Sequence, residues 1–282
     1  MHKPASVGPT GVFAALLLAL TLGACASRPT DPDDLAYFKE INDPLEPMNR
    51  AVFQFNEAAD KVVLRPLAIG YRAVIPRGVR HSIRNFLNNL RAPVVLLNDL
   101  LQGEGLRARD TTGRFMTNTI LGLGGVFDVA SDAGIPYHEE DFGQTLAVWG
   151  VAPGPYLVLP VFGPSGFRDA VGDGVDTVVD PAGIYIRNEY GWVGSAVRYT
   201  VDSVDWRAAN LEIIDDLKRS SIDFYAATRS AYRQQRNNEI RNGRTDLNDP
   251  GSMPPMIEFD AIDNIGERSP DESQVPQSEQ QR

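Results

Sequence analysis

From residue 142 to residue 167 the chain runs for 26 residues without a charged side chain. A stretch of that length would suffice to cross bilayer hydrocarbon, which takes about 20 apolar residues as a helix. It is broken, however, by Gly150, Pro153, Gly154, Pro155, Pro160, Gly163 and Pro164. Backbone that is neither helix nor closed sheet cannot face lipid, because its free N–H and C=O groups find no water there. The segment is therefore expected to form a re-entrant or hairpin-like element, with a helix over 144–149 and an extended arm over 156–159. Such backbone is tolerated at membrane depth only where it is buried in protein or borders a wet cavity.

Helical patterns flank this element on both sides. Asp43, with Pro44 next and Glu46 three residues on, reads as a helix start, and Leu45, Met48, Val52, Phe55, Ala59 and Val62 follow at steps of three or four. Pro66 and Pro76 bracket a short helix. Val79, Ile83, Phe86, Leu87 and Leu90 mark an amphipathic helix expected to end before Pro93, and a further segment over 94–101 stops at Gly103. Another helix over 106–120 should end in the glycine-rich run 122–125, since glycine costs about 1 kcal/mol in a helix interior. Ser165 is placed to cap a helix through Val171, Val175 and Val178 that stops near Pro181, and the pattern beyond Trp192 is mostly helical to Arg241. A mostly α, single-domain body over 43–243 is the expected fold.

The two ends differ from this body. Residues 1–24 read as a secretion signal, with Lys3 in its charged start, an apolar stretch over 12–22 and small residues before Cys25. Leu22, Gly23, Ala24 and Cys25 resemble a bacterial lipobox, so Cys25, the only cysteine, is expected to be acylated. Ala26 and Ser27 follow it rather than the aspartate that retains lipoproteins in the inner membrane, which points to the outer membrane. Residues 25–42 form a proline-broken tether. From residue 244 to 282 an acidic, Pro-, Ser- and Gln-rich tail is expected to be disordered, and solubilising the C-terminus is a better account of it than steering a basic partner.

Composition and motifs exclude several functions. With 37 acidic against 27 basic residues the chain is a poor nucleic-acid binder. Only His81 and His138 follow the signal, and the run His138, Glu139, Glu140, Asp141 reads as a solvated acidic loop rather than a metal or base site. Ser165 lacks the glycine two residues on that a nucleophile elbow needs, having Phe167 there. Residues 122–125 lack both the Walker lysine and dinucleotide spacing. Asp169, Asp173, Asp176 and Asp180 recur at helical spacing and read as a solvated face. No catalytic residue, cofactor or metal ligand is assigned, and a non-enzymatic role is expected.

Four strings carry a family resemblance: DPLEPMNRAVFQFN at 43–56, NFLNNLRAPVVLLNDLLQG at 85–103, GRFMTNTILGLGGVFDVA at 113–130 and DFGQTLAVWGVAPGPYLVLPVFGPSGFRDAVG at 141–172. They resemble the MlaA family, also called VacJ, of phospholipid-handling lipoproteins. The match is dense over 43–180 and loose thereafter. The resemblance implies a ring-like helical body in the inner leaflet of the outer membrane, facing the periplasm, with an amphipathic channel. It implies association with a trimeric porin and delivery of phospholipid misplaced in the outer leaflet to the soluble periplasmic carrier MlaC, which maintains lipid asymmetry. A structural lipoprotein scaffolding a porin or envelope complex is the alternative.

Gly150, Pro153, Gly154, Tyr156, Pro160 and Gly163 are the candidate channel wall or hinge, Tyr156 having an apolar ring and a polar tip suited to a headgroup boundary. The competing reading is tight turns in a packed core. Phe53 and Phe55, beside Asn56, suit core packing, while Trp149 and Trp192 suit either an interfacial belt or the core.

Overall fold

Residues 43–244 are described by the structure, a computed structural model. The signal, Cys25, the tether and all but the first residue of the acidic tail lie outside them.

Asp43 does not cap the first helix as its position suggests. Its carboxylate accepts from Leu45 N–H at 3.1 Å, from Asn49 Nδ2 at 3.0 Å and from the Tyr225 hydroxyl, tying the start of the body to its last helix. Helix α1 (Glu46–Ala59) consequently begins three residues later, and Glu46 accepts from Arg50 at 2.7 Å instead of closing a capping box. A π-helical turn (Asp60–Leu64) joins α1 to α2 (Arg65–Val74), and Asp60 within it accepts from Arg207 Nε at 2.8 Å.

The two segments expected on either side of Pro93 are one helix, α3 (Arg77–Gln102). Proline removes one N–H and crowds the carbonyl four residues back, but both halves of α3 are held by neighbours, chiefly the antiparallel α4 (Gly105–Ile120) and also the later helix over Pro181–Ala209. Packing overrides the local penalty. Gly103 ends α3 in the left-handed region (φ 77°), as its position predicted. A short α5 (Val129–Asp132) is capped by Asp128 and α6 (Phe142–Val148) by Asp141.

The charge-free segment then forms an antiparallel hairpin of β1 (Tyr156–Leu159) and β2 (Gly163–Gly166), with Tyr156 opposite Gly166 and Leu159 opposite Gly163. Ser165 lies in β2, its hydroxyl bonded to the Gly166 carbonyl. Gly166 therefore precedes α7 (Phe167–Val179) in the position assigned to the serine. Helix α8 (Pro181–Ala209) bends at Gly191, whose φ of 62° and ψ of −155° only glycine adopts readily. Helices α9 (Leu211–Ser220) and α10 (Phe224–Ile240) complete the body, α10 capped by Asp223.

Burial in this body is inverted. Among the described residues the largest fully buried side chains are Gln144, Asn49, Asn98, Asn210, Thr145 and Asp99, and only ten apolar residues are buried against 38 large apolar residues that are exposed. Water-soluble domains bury most of their large apolar side chains and expose contiguous apolar surface sparingly. Here Leu106, Ile120, Leu121, Leu123, Trp192 and Phe162 are all at least 65 % exposed. Among the described residues no helix is long and apolar enough to cross a membrane.

Candidate functional site

Two features stand out: a clamped hairpin and a polar cavity. The clamp comes from α1, where Asn49 and Asn56 lie seven residues apart and so share one face of the helix. Asn49 donates to the Tyr156 carbonyl at 2.9 Å and accepts from Val158 N–H at 2.9 Å. Asn56 donates to the Leu159 carbonyl and accepts from Val161 N–H, both at 2.8 Å. The two amides thus satisfy the outer edge of β1 as a third strand would. Phe53, between them, packs edge-on against Phe224 and Tyr225 at 5.3 and 5.4 Å, the core role expected of it, whereas Phe55 faces outward.

The hairpin's burial follows from its pleat, since alternate residues of β1 face opposite ways. Tyr156 and Val158 turn inward onto Tyr225, with the Tyr156 ring 5.9 Å from Tyr232. Tyr156 is 4 % exposed and its hydroxyl has no hydrogen-bond partner; burial pushes its pKa up, so it stays neutral. That places Tyr156 in the core rather than at a headgroup boundary. Gly150 (φ 87°) and Gly154 (φ 68°) flank Pro153 in the link from α6, and Pro160 and Gly163 bound the turn that exposes Val161 and Phe162. The Phe162 ring meets Tyr199 of α8 at 6.5 Å.

The cavity, of about 530 Å³, lies between α3, α4, α8 and residues 128–139. None of the six hairpin candidates lines it; the alternation that buries Tyr156 and Val158 commits β1 to packing on α1 and α10 instead. Beyond His81, His138 and Glu139, the wall is built from residues that carry no motif of their own. From α3 come His81, Arg84, Asn85, Asn88 and Ala92, which recur at steps of three and four and so form one helical face. The signal was legible: a polar stripe on a helix that elsewhere exposes Val79, Phe86, Leu97 and Leu100.

Ion pairs order the cavity wall. Arg84 Nε donates to Asp205 Oδ2 at 2.9 Å, and Asp205 also accepts from the Tyr71 hydroxyl at 2.9 Å. Arg114 grips both Asp128 oxygens at 2.7 Å, and Arg91 pairs with Asp202. Burial opposes the charged form of Asp128, but hydrogen bonds from Ser131, Asn118 and Arg114 outweigh it and hold the carboxyl below the usual range.

The acidic loop is not solvated throughout. Glu140 is buried and accepts from Gln102 and Arg107, both at 2.7 Å, while His138 Nε2 lies 3.0 Å from the fully buried Asp99, which also accepts from Thr111 at 2.6 Å. Burial nevertheless raises the Glu140 pKa above the ordinary carboxylate value. Of the aspartate stripe Asp173 is exposed as expected, but the other three are engaged within the body. Asp169 accepts from Tyr232 and Arg236 at 2.5 and 3.0 Å, Asp176 from Asn98 and Phe142 N–H at 3.0 and 2.8 Å, and Asp180 caps α8. Glu139 and Asp173 apart, both runs serve polar contacts within the body, whose interior is polar. Trp192 is 80 % exposed; Trp149 is half exposed and donates to the Leu101 carbonyl at 3.1 Å.

Comparison with known proteins identifies the body. The profile of the MlaA lipoprotein family matches residues 41–239. The intermembrane phospholipid transport system lipoprotein MlaA of Escherichia coli is 37 % identical over 237 residues, covering 82 % of this chain and 89 % of its own length. An uncharacterized protein of Rickettsia felis is 38 % identical over 204 residues, 72 % of this chain and 79 % of its own. A solved structure described under the structural basis for maintenance of bacterial outer membrane lipid asymmetry superimposes with a TM-score of 0.64 at 37 % identity, covering 71 % of this chain and 99 % of that one. With the family profile spanning most of the described helices, this chain belongs to the MlaA lipoprotein family.

Proposed function

We propose that this protein is a passive phospholipid conduit of the outer membrane, anchored through an acylated Cys25, that takes misplaced phospholipid from the outer leaflet and passes it to a periplasmic carrier. The observation that carries the reading is the inverted burial: a polar cavity and polar core inside, and apolar side chains outside. That distribution lowers free energy only where the surroundings are apolar, as in the inner leaflet of a membrane. Stable anchoring needs more than one acyl chain, which a lipoprotein cysteine supplies.

A phospholipid leaving its leaflet must bring a charged headgroup past hydrocarbon, at a cost of at least several kcal/mol if the group is left unsatisfied. A wall of arginines, carboxylates and amides removes most of that barrier. In this reading the passage is bounded by α3, α4 and α8 in a ring-like body. The hairpin hinges at Gly150 and Gly154 and bears on α8 through Phe162, so that Gly150, Pro153, Gly154, Pro160 and Gly163 act in gating and Tyr156 anchors the pivot. The relatives named as phospholipid transport lipoproteins support transport rather than catalysis. A trimeric porin beside the apolar girdle and MlaC on the periplasmic side are the partners this route requires.

A photo-crosslinking residue at Asn88 tests the assignment. Capture of phospholipid at Asn88 in living cells is expected; labelling confined to outward positions such as Phe86 would count against a passage. Co-purification of the native protein with a porin, together with unaltered lipid asymmetry when the protein is deleted, would favour a scaffolding role.

A further inference from the structure

The three arginines of the cavity wall are each matched by a carboxylate: Arg84 by Asp205, Arg91 by Asp202 and Arg114 by Asp128. Two more carboxylates, Asp132 and Glu139, line the same space and have no arginine among the lining residues left to match them. Glu139 accepts from the Tyr137 hydroxyl at 2.8 Å and also acts on Arg91, whose closer partner is Asp202. The wall thus holds five carboxylates against three arginines. Asn210 adds a spare acceptor. Its Nδ2 donates to the Trp206 carbonyl at 2.9 Å, which requires the nitrogen to face that oxygen, and its own buried Oδ1 has no hydrogen-bond partner.

Burying a charge is tolerated when it is paired, and stranding one partner of a pair is costly. A headgroup with both an ammonium and a phosphate can enter an arginine–carboxylate pair and leave no charge unmatched, the ammonium taking the carboxylate and the phosphate the guanidinium. A headgroup with net negative charge would draw the guanidinium and strand the carboxylate, beside two further carboxylates that repel it. Asn210 Oδ1 offers an ammonium N–H the acceptor it needs; a phosphate oxygen would meet it as one acceptor against another.

We propose that the cavity selects phospholipids whose headgroup carries an ammonium, such as phosphatidylethanolamine, over net-anionic ones such as phosphatidylglycerol. The proposal rests on the cavity being the lipid passage and adds the sign of its selectivity. It sets Asp132, Glu139 and Asn210 as the specificity-determining residues.

The test measures binding of phosphatidylethanolamine and phosphatidylglycerol with identical short acyl chains to the full lipidated protein in neutral-detergent micelles at low salt. Phosphatidylethanolamine should bind about tenfold more tightly, equivalent to ~1.4 kcal/mol. The double variant Asp132→Asn, Glu139→Gln alters two exposed side chains and should reduce the preference to about twofold or less, while Asn210→Leu should weaken phosphatidylethanolamine selectively. Equal or reversed affinities in the native protein, or a preference untouched by the double variant, would overturn the selectivity while leaving the passage intact. Failure of both lipids to bind would overturn the passage as well.

Discussion

Asn56 holds Val161 in a conformation that β-branched residues avoid. The asparagine oxygen accepts from Val161 N–H at 2.8 Å while Val161 sits at φ 72° at the hairpin turn. Left-handed backbone at such a residue costs on the order of 1–3 kcal/mol and persists only when its surroundings fix it. Asn56→Ala should therefore destabilise the hairpin by about 1–3 kcal/mol, through the unpaired Leu159 carbonyl and the release of Val161. Val161→Gly in that background should recover part of the loss. Denaturant unfolding of the two variants checks this; no recovery by glycine would mean that Val161 is not strained.

Gly172 and Gly143 set how closely α7 approaches α6. A Cβ at Gly172 would lie 2.3 Å from the Gly143 nitrogen and 2.7 Å from its Cα. Backbone cannot swing aside as a side-chain tip can, so Gly172→Ala should cost at least about 1–3 kcal/mol. Two residues on, Gly174 has nothing within 4 Å, and Gly174→Ala should be neutral or stabilise by about 0.5–1 kcal/mol. Similar melting temperatures for the two variants would contradict the crossing.

Arg236 joins α10 to the rest by meeting Asp141 Oδ2 at 2.5 Å and Asp169 Oδ1 at 3.0 Å, and within α10 it pairs with Glu239 Oε2 at 3.0 Å. Burial works against Asp141, but Arg236 and the N–H of Gln144 hold its pKa down. Arg236→Met leaves Asp141 without its cation, while Asp169 keeps Arg168 at 2.9 Å, a loss of about 3–5 kcal/mol. Faster hydrogen exchange through α10 would report it. Unchanged protection there would place the docking of α10 in its apolar contacts alone.

The Arg114 and Asp128 pair gives stability a defined pH dependence. The Asp128 pKa is depressed in the folded state from an ordinary value of 3.8, so its contribution is fully present above that value and is lost as pH falls through the folded pKa. Acid titration should loosen the joint between α4 and α5 below about pH 4, and Asp128→Asn should be less stable at pH 7 yet flatter across that window. Parallel acid profiles for the two proteins would contradict the assignment.

The sequence made the helices and the hairpin legible because their punctuation is local. Gly103, Pro181 and the glycines and prolines on either side of 156–159 act through their own backbone. Pro93 misled because the packing of α3 on α4 outweighs one lost hydrogen bond, and Asp43 because its carboxylate serves Tyr225, 182 residues away, rather than the next turn. The cavity was obscured by the habit of reading a helix's polar face as its wet outer face. On α3 the polar stripe of Arg84, Asn85 and Asn88 looks inward, which its spacing alone does not distinguish from a wet outer face. Residue types and spacings were visible; the medium outside the body, which decides which face is inside, was not written in them.

The most direct test of the account is the phospholipid content of the outer leaflet, assayed by surface labelling in cells that lack this protein and in cells that make the Asn88→Trp variant in its place. Asn88 lines the cavity, so an indole there should obstruct it while the chain still folds and reaches the membrane. The account predicts surface phospholipid raised to a similar extent in both strains and restored by the native chain. Surface phospholipid at native levels in the deletion strain would contradict it.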